Sequence, residues 1–497
     1  MNETTETQTA SPAVLPARIY WFITGLSVYW VLFLWGFWER HVFALGINAS
    51  LFLLGLFALA HYSLGKDSFA NKCAWYWIAP LLVVSVSYSL FENPFIKLCN
   101  LLFIPVTVGF LTLLVRIKDQ EQVFASYVRL LLASLAAAFE IFVQTIPSIA
   151  SYNKFLAAHF VGGRLSLRPE ARSVLKGLVM LSFLAFFIVI PLLGSADNTF
   201  GKIFTNLYQQ IANALEHLFE LEHFWRLLML FAVSAFCISF LSAWTKDIKA
   251  FWEIKPTQRD QISAAVLIFG VLVLYLIFIF LQFDKFWEGT LPVVFNETEA
   301  YVKSGFWQLV VLTGVNLLLA FSYFHQSDSV LKFLLACFVI ASLLLLGSAA
   351  HRMYLYVTHY GLSYEKFYAS YTVLYCAVLF AIILISFTRP TANITKLAVL
   401  LLLWMYSLVT VLPVEYMVSR ANLALSYKLE SRMGVGDLKI LSIDALPFVK
   451  AHRRELAAPK PSALPWQSID SWISSQEKLL QEKSWYEYSI SAIYSAH

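Results

Sequence analysis

The sequence predicts an all-α integral membrane protein with about eleven transmembrane helices, interfacial amphipathic helices and a C-terminal soluble tail. Three observations carry this expectation. Of 497 residues, 59% are hydrophobic and 16% aromatic, while only 13% are charged. The mean hydropathy is +0.68, far from that of a soluble domain. The apolar residues also come in runs of about 20, the length a helix needs to cross the hydrocarbon core. Isolated strands would leave backbone groups unpaired in lipid, so the runs are expected to be helical.

The N-terminal tail, residues 1–18, is polar, carries Glu3 and Glu6, and lacks the basic stretch that precedes the apolar part of a cleavable signal. The first helix is therefore expected to stay as an anchor. A four-helix membrane region spans 19–115, with crossings at 19–38, 42–64, 73–90 and 95–115. Residues 116–174 read as a segment on the cytoplasmic side. Their apolar stretch, Tyr127 to Tyr152, is long enough to cross, yet it holds Arg129, Glu140, Gln144 and Pro147 and has basic residues on both sides. It reads as a helix that does not cross. Arg129 and Glu140, about three helical turns apart, share a face and would pair if buried.

The main membrane domain covers 175–414, with crossings at 175–194, 224–244, 262–283, 305–324, 331–350, 368–387 and 397–414. Between the first two, Ile203, Phe204, Leu207, Tyr208, Ile211, Leu215, Leu218 and Phe219 recur at helical spacing opposite a polar, acidic face, the pattern of a surface amphipathic helix. From 415 to 497 the hydropathy collapses into a soluble tail, with the proline-rich hinge "AAPKPSALPWQ" at 457–467. Beyond it Trp472, Leu479, Leu480, Trp485 and Ile490 fall at helical spacing, so this segment is expected to dock back on the protein.

Orientation follows from Lys and Arg in the connections. With the N-terminus inside, the inner flanks hold roughly twice as many as the outer ones. Arg18, Lys66, Arg116, Arg172, Lys255 and Lys396 fall inside; Arg40, Lys97, Arg352 and Lys366 fall outside. The expectation is a multi-pass membrane protein with its N-terminus inside and its C-terminus outside.

The stretch "HRMYLYVTHYGLSYEKFY" at 351–368 concentrates polar chemistry between two apolar runs. If the preceding helix continues past Ala350, Arg352, Tyr356 and His359 share a face, with Tyr360 beside them; Gly361 is a stop signal and Ser363 a start. Arg352 would hold a phosphate or carboxylate, and His359 would move a proton near neutral pH. The competing reading is interfacial anchoring, since tyrosines and arginines gather where lipid meets water. Asp197, at the outer end of the 175–194 run, is either a binding carboxylate or a cap for the amphipathic helix.

No catalytic set, phosphate loop or metal-ligand spacing appears, and neither a cofactor nor nucleic acid is expected. The five cysteines stand singly in apolar segments without paired spacing.

Several stretches resemble a family of bacterial polytopic membrane proteins catalogued only as a domain of unknown function. They are "VLKGLVMLSFLAFFIVIPLLGSADNTF" at 174–200, "LYLIFIFLQFDKFW" at 274–287, "AYVKSGFWQLVVL" at 300–312, "RMYLYVTHYGLSYEKFYA" at 352–369, "SRANLAL" at 419–425, "GDLKILSIDALPFV" at 436–449 and "SWYEYSISAIYSAH" at 484–497. The resemblance implies that Asp197, Gly305, Arg352, Tyr356, Tyr360, Gly361, Asn422, Asp437, Asp444 and Pro447 occupy recurrent family positions. It implies no reaction. Asn198 stands where the resemblance leads one to expect proline.

The resulting expectation is a non-catalytic envelope component that binds membrane lipid or an envelope protein at its outer face. A transporter or channel for a small solute is the alternative, and a membrane-embedded transferase acting on a lipid-linked substrate is the third reading.

Overall fold

The computed structural model describes residues 15–64, 72–116, 127–160, 222–245, 261–287, 310–324, 329–388, 393–427, 433–434, 440–458, 463–464 and 468–496. In chain order the longer helices are α1 (Ala17–Phe33), α2 (Ile47–Leu64), α3 (Lys72–Leu90), α4 (Pro94–Arg116), α5 (Tyr127–Val143), α6 (Thr145–Phe160), α7 (Glu222–Thr245) and α8 (Gln261–Trp287). Then come α9 (Val310–Tyr323), α10 (Ser329–Tyr360), α11 (Tyr364–Thr388), α12 (Ile394–Thr410) and α13 (Val414–Leu425). The tail adds α14 (Leu446–Ala451), α15 (Arg453–Ala457), α16 (Ile469–Gln481) and α17 (Ile490–Ala496). A parallel pair of two-residue strands, Met433–Gly434 with Ala463–Leu464, is the exception to an all-helical chain among the described residues.

Five described stretches are long and apolar enough to cross a membrane: Pro94–Leu114, Leu130–Leu156, Phe224–Ala243, Ser329–Tyr360 and Tyr364–Thr388. The count becomes seven if each of two bent pairs is one span. One pair is Ala17–Phe33 with Phe37–Ala44, bent by 50°; the other is α12 with α13, bent by 69°. The expected count of about eleven is therefore not reproduced. Ile47–Ser63, Trp75–Leu90, Gln261–Ile277 and Val310–Tyr323 are apolar but shorter, and the expected crossing at 175–194 lies outside the described residues. Leu130–Leu156 has the length and apolarity of a crossing, so its length gives no support to the one-sided course expected of it.

The chain divides into two compact units, residues 1–39, 52–68 and 136–246, and residues 40–51, 69–135 and 247–497. In the first, α7 packs on α1 and α6. Tyr20 stacks on Phe155 at 4.6 Å, Thr24 and Tyr152 share a 3.0 Å hydroxyl contact, and Ser234 donates to Ser27 at 2.8 Å. Small hydroxyl residues there let helices approach closely and give the polar groups partners in an apolar surround.

In the second unit α10 packs between α8 and α11, and α12 packs on α3 and α11. Ile268, Phe338, Ala349, Phe380 and Ala398 are wholly buried in its core. Ile262, Val266, Phe269, Leu274 and Phe280 of α8 are exposed, a continuous apolar surface that suits lipid. At 32 residues α10 is about 48 Å long, more than a bilayer core needs. Its last turns continue through the 351–360 stretch and stop at Gly361, whose φ of 79° favours glycine. Ser363 then opens α11, its hydroxyl accepting from the Lys366 amide at 3.4 Å. Stop and start fall where the sequence predicts them.

Candidate functional site at the junction of tail and helix ends

Three turns of the second unit meet the tail: 40–46 before α2, 91–93 between α3 and α4, and 361–363 between α10 and α11. The turn 91–93 is short because Phe91 ends one apolar run and Pro94, which lacks an amide hydrogen, opens the next helix. It carries Glu92, only 3% exposed. A buried carboxylate needs compensating charge, and Glu92 has two sources. Lys97 donates to its Oε2 at 2.7 Å and Lys483, from the tail, donates to the same oxygen at 2.6 Å. The Ser489 amide donates to Oε1 at 3.1 Å. Burial alone would raise the Glu92 pKa, but the two ammonium groups outweigh it and hold the carboxyl below its ordinary value.

The Glu92 amide in turn donates to both oxygens of Asp444 at 2.8 Å, and Ser491 also donates to Asp444. Ser442 links Asp444 to Glu415: its hydroxyl accepts from the Asp444 amide at 3.3 Å and donates to Glu415 at 2.7 Å, while its own amide donates to Glu415 at 2.8 Å. Tyr364 donates to the same carboxyl. Glu415, Asp444 and Lys97 all face one cavity of about 30 Å³, room for a water or two and far below the volume of a substrate pocket.

Glu92 meets both ammonium groups, Lys97 and Lys483, while Asp444 and Glu415 share the cavity with Lys97. Burial, reinforced by Asp444, pushes Glu415 well above the ordinary carboxylate range. Burial and the Glu92 charge push Asp444 up to about 6.

A second set of contacts flanks this centre. Arg40 pairs with the buried Glu487 at 2.5 Å and donates to the Glu482 carbonyl at 2.8 Å. The Ile47 amide donates to the Tyr488 carbonyl at 3.1 Å. Gly46 makes this approach possible, because a Cβ there would sit 2.2 Å from the Glu487 carbonyl oxygen. Asn422 clamps the 361–363 turn, accepting from the Leu362 amide at 2.7 Å and donating to the Leu362 carbonyl at 2.8 Å.

The sequence-predicted residues separate here. Tyr356 and Tyr360 are buried, at 4% and 6% exposure, and Lys366 sits 4.2 Å from the Tyr356 ring centre while donating to the Gly361 carbonyl at 2.7 Å. Arg352 and His359 are half-buried, with the His359 Nδ1 bonded to the Leu355 carbonyl at 2.8 Å within its own helix. Lys366 thus packs inward on Tyr356, and the His359 ring lies 6.5 Å from that of Tyr360. Glu140 accepts from Gln144 at 2.6 Å, while the Arg129 side chain and all of Asp197 lie outside the described residues, as does the expected amphipathic helix at 203–219. Sequence reasoning missed Glu92, Lys97, Glu415 and Lys483. One signal was there to be read, a carboxylate in a two-residue break between apolar runs with a lysine near the start of the next helix.

Two outcomes follow. Gly46→Ala must displace backbone rather than a side chain, so the tail should loosen and trypsin should cut at Arg453 and Arg454 several-fold faster in detergent than in the wild-type protein; equal rates would contradict the close approach. The second concerns pH. Asp444 binds its proton more tightly when docked, about 6 against an ordinary 3.8, and Glu415 shifts the same way. The Asp444 contribution is complete below the ordinary carboxylate range and is lost as pH rises through about 6, and Glu415 acts in the same direction. Glu92 works oppositely, its contribution being lost only as pH falls below that range. Tail cleavage, normalised to a peptide substrate, should accelerate from pH 5.5 to 7, and Asp444→Asn should flatten the rise; acceleration on acidification through this window would contradict the assignment.

Comparison with known proteins gives a family without a function. No curated protein and no solved structure matches the chain. A family model described as domain of unknown function DUF4153 matches residues 78–450, a span that holds Glu92, Lys97, Glu415 and Asp444 and ends before Lys483 and Glu487. Because that match covers well over half of the sequence, the protein belongs to the DUF4153 family.

Proposed function

We propose that this DUF4153 protein is a non-catalytic, multi-pass component of a bacterial inner membrane, N-terminus inside and C-terminus outside, whose tail-capped face holds a lipid or an envelope protein. One observation carries the non-catalytic reading. The ionisable groups that the tail gathers are spent on one another around a cavity of about 30 Å³, which leaves no space for a substrate.

The polar residues inside the bundle support it too. Asn100 donates to Ser87 at 3.2 Å and accepts from Tyr406 at 2.7 Å; Asn316 accepts from Tyr275 and donates to Ser342 at 3.0 Å. Residues bonded in this way act as glue between helices, which argues against their lining a transport path.

Orientation draws on the cation count with one refinement. Lys97 and Lys366, assigned to the outer flank, are buried and held by Glu92, the Tyr356 ring and backbone carbonyls. Arg40 is paired as well. Setting them aside sharpens the asymmetry that favours an outer tail. Alkaline phosphatase and green fluorescent protein fused after His497 test this directly. The phosphatase should be active and the fluorescent fusion dark; a fluorescent fusion would mean that the tail is cytosolic and that Leu130–Leu156 crosses.

A further inference from the structure

We propose that a groove between α13 and α14 binds the phosphodiester headgroup of a membrane glycerophospholipid, a site that rests on the reading above, in which the tail end of the bundle meets the membrane surface. Pro413 ends the direction of α12, and α13 leaves at 69°, the course of a helix turning to lie along an interface. Val414, Val418, Ser419, Asn422 and Leu425 face inward. Tyr416, Arg420, Ala424 and Tyr427 are exposed and recur at i, i+4, i+8 and i+11, one stripe of the helix. Two tyrosines flanking an arginine on an amphipathic interfacial helix match the polarity gradient at headgroup depth.

The opposite wall comes from α14 and the residue after it. Phe448 meets Tyr416 edge-on at 5.6 Å and stacks on His452 at 4.2 Å. Between the walls lies an open space of about 310 Å³, floored by Leu423. That volume suits a headgroup with its glycerol.

Charge selects the occupant. Arg420 forms no hydrogen bond or ion pair with another described residue, whereas Lys450 pairs with Glu477 at 2.9 Å and Arg453 with Asp470 at 2.7 Å. A guanidinium fork matches two phosphate oxygens. His452 uses Nδ1 on the Phe448 carbonyl at 3.0 Å, which leaves Nε2 for a ligand. The Tyr427 hydroxyl lies 3.4 Å from Glu455, which puts one carboxylate at the rim and disfavours a ligand of high negative charge. A single phosphodiester with apolar chains fits these conditions; an apolar peptide would leave Arg420 unanswered.

The test uses the full chain in mild detergent, titrated separately with phosphatidylglycerol, dioleoylglycerol and inorganic phosphate and read by native mass spectrometry. Phosphatidylglycerol should give one saturable adduct. Arg420→Gln should weaken it about tenfold or more, the loss of charge-assisted bonds to phosphate. Arg420→Lys should restore part of the affinity, and Arg454→Gln, at an exposed position outside the groove lining, should leave it unchanged. Equal binding by Arg420→Gln would overturn the proposal. So would dioleoylglycerol binding as tightly as the phospholipid, the mark of a purely apolar docking surface, or inorganic phosphate matching it, the mark of a soluble-anion site. A cytosolic reporter after His497 would overturn the orientation while leaving any Arg420 dependence intact. Loss of Arg420 dependence with an outer reporter would overturn the groove alone.

Discussion

The arrangement depends on one buried carboxylate, Glu92, and the two lysines that neutralise it. Lys97 comes from the same helical hairpin, but Lys483 comes from the far end of the chain. Removing one member of a buried charge pair leaves the other uncompensated, at a cost of about 3–5 kcal/mol. The tail is thus held to the helix ends by a charge that has no cheap alternative partner. Apolar contacts complete the attachment: Leu441, Ile443, Leu446, Val449, Trp472 and Ala492 form one buried cluster with Val414 and Val418.

The charged junction is tightly packed. Glu92 is met by both lysines, while Asp444 and Glu415 share with Lys97 a cavity with room for about a water or two. Gly46 lets backbone approach backbone beside it, and Asn422 fixes the 361–363 turn through both of its amide atoms. These are short-range geometric constraints that act on a segment brought in from far along the chain.

The parts legible in the sequence are those set by local chemistry. Membrane character followed from apolar runs, and the end of α10 at Gly361 from the residue that adopts a positive φ most readily. Docking of the last segment followed from helical spacing, although only part of that apolar set is inward: Trp472 and Leu480 are buried while Trp485 and Ile490 remain exposed. The count of about eleven crossings is not confirmed: among the described residues five stretches, or seven if each bent pair is one span, are long and apolar enough, and the 175–194 run lies outside them. The charged junction was hidden because its partners lie hundreds of positions apart and no spacing relates them. Lys97 and Lys366 were read for which side they mark, a rule that treats every cation as solvated; both are buried, Lys97 on Glu92 and Lys366 on the Tyr356 ring and the Gly361 carbonyl. The cost of a carboxylate near lipid was applied to Asp197, and applied equally to Glu92 it would have pointed at the centre of the site.

Hydrogen–deuterium exchange of the closing peptide, residues 485–496, compared between wild type and Glu92→Gln, tests the central claim most directly. If Glu92 and its lysines hold the tail, the wild-type peptide should exchange as slowly as peptides from α10 and α11. The variant should then exchange on the order of a hundredfold faster, as expected when a buried pair is broken. An unprotected wild-type peptide, or a variant indistinguishable from wild type, would contradict the account.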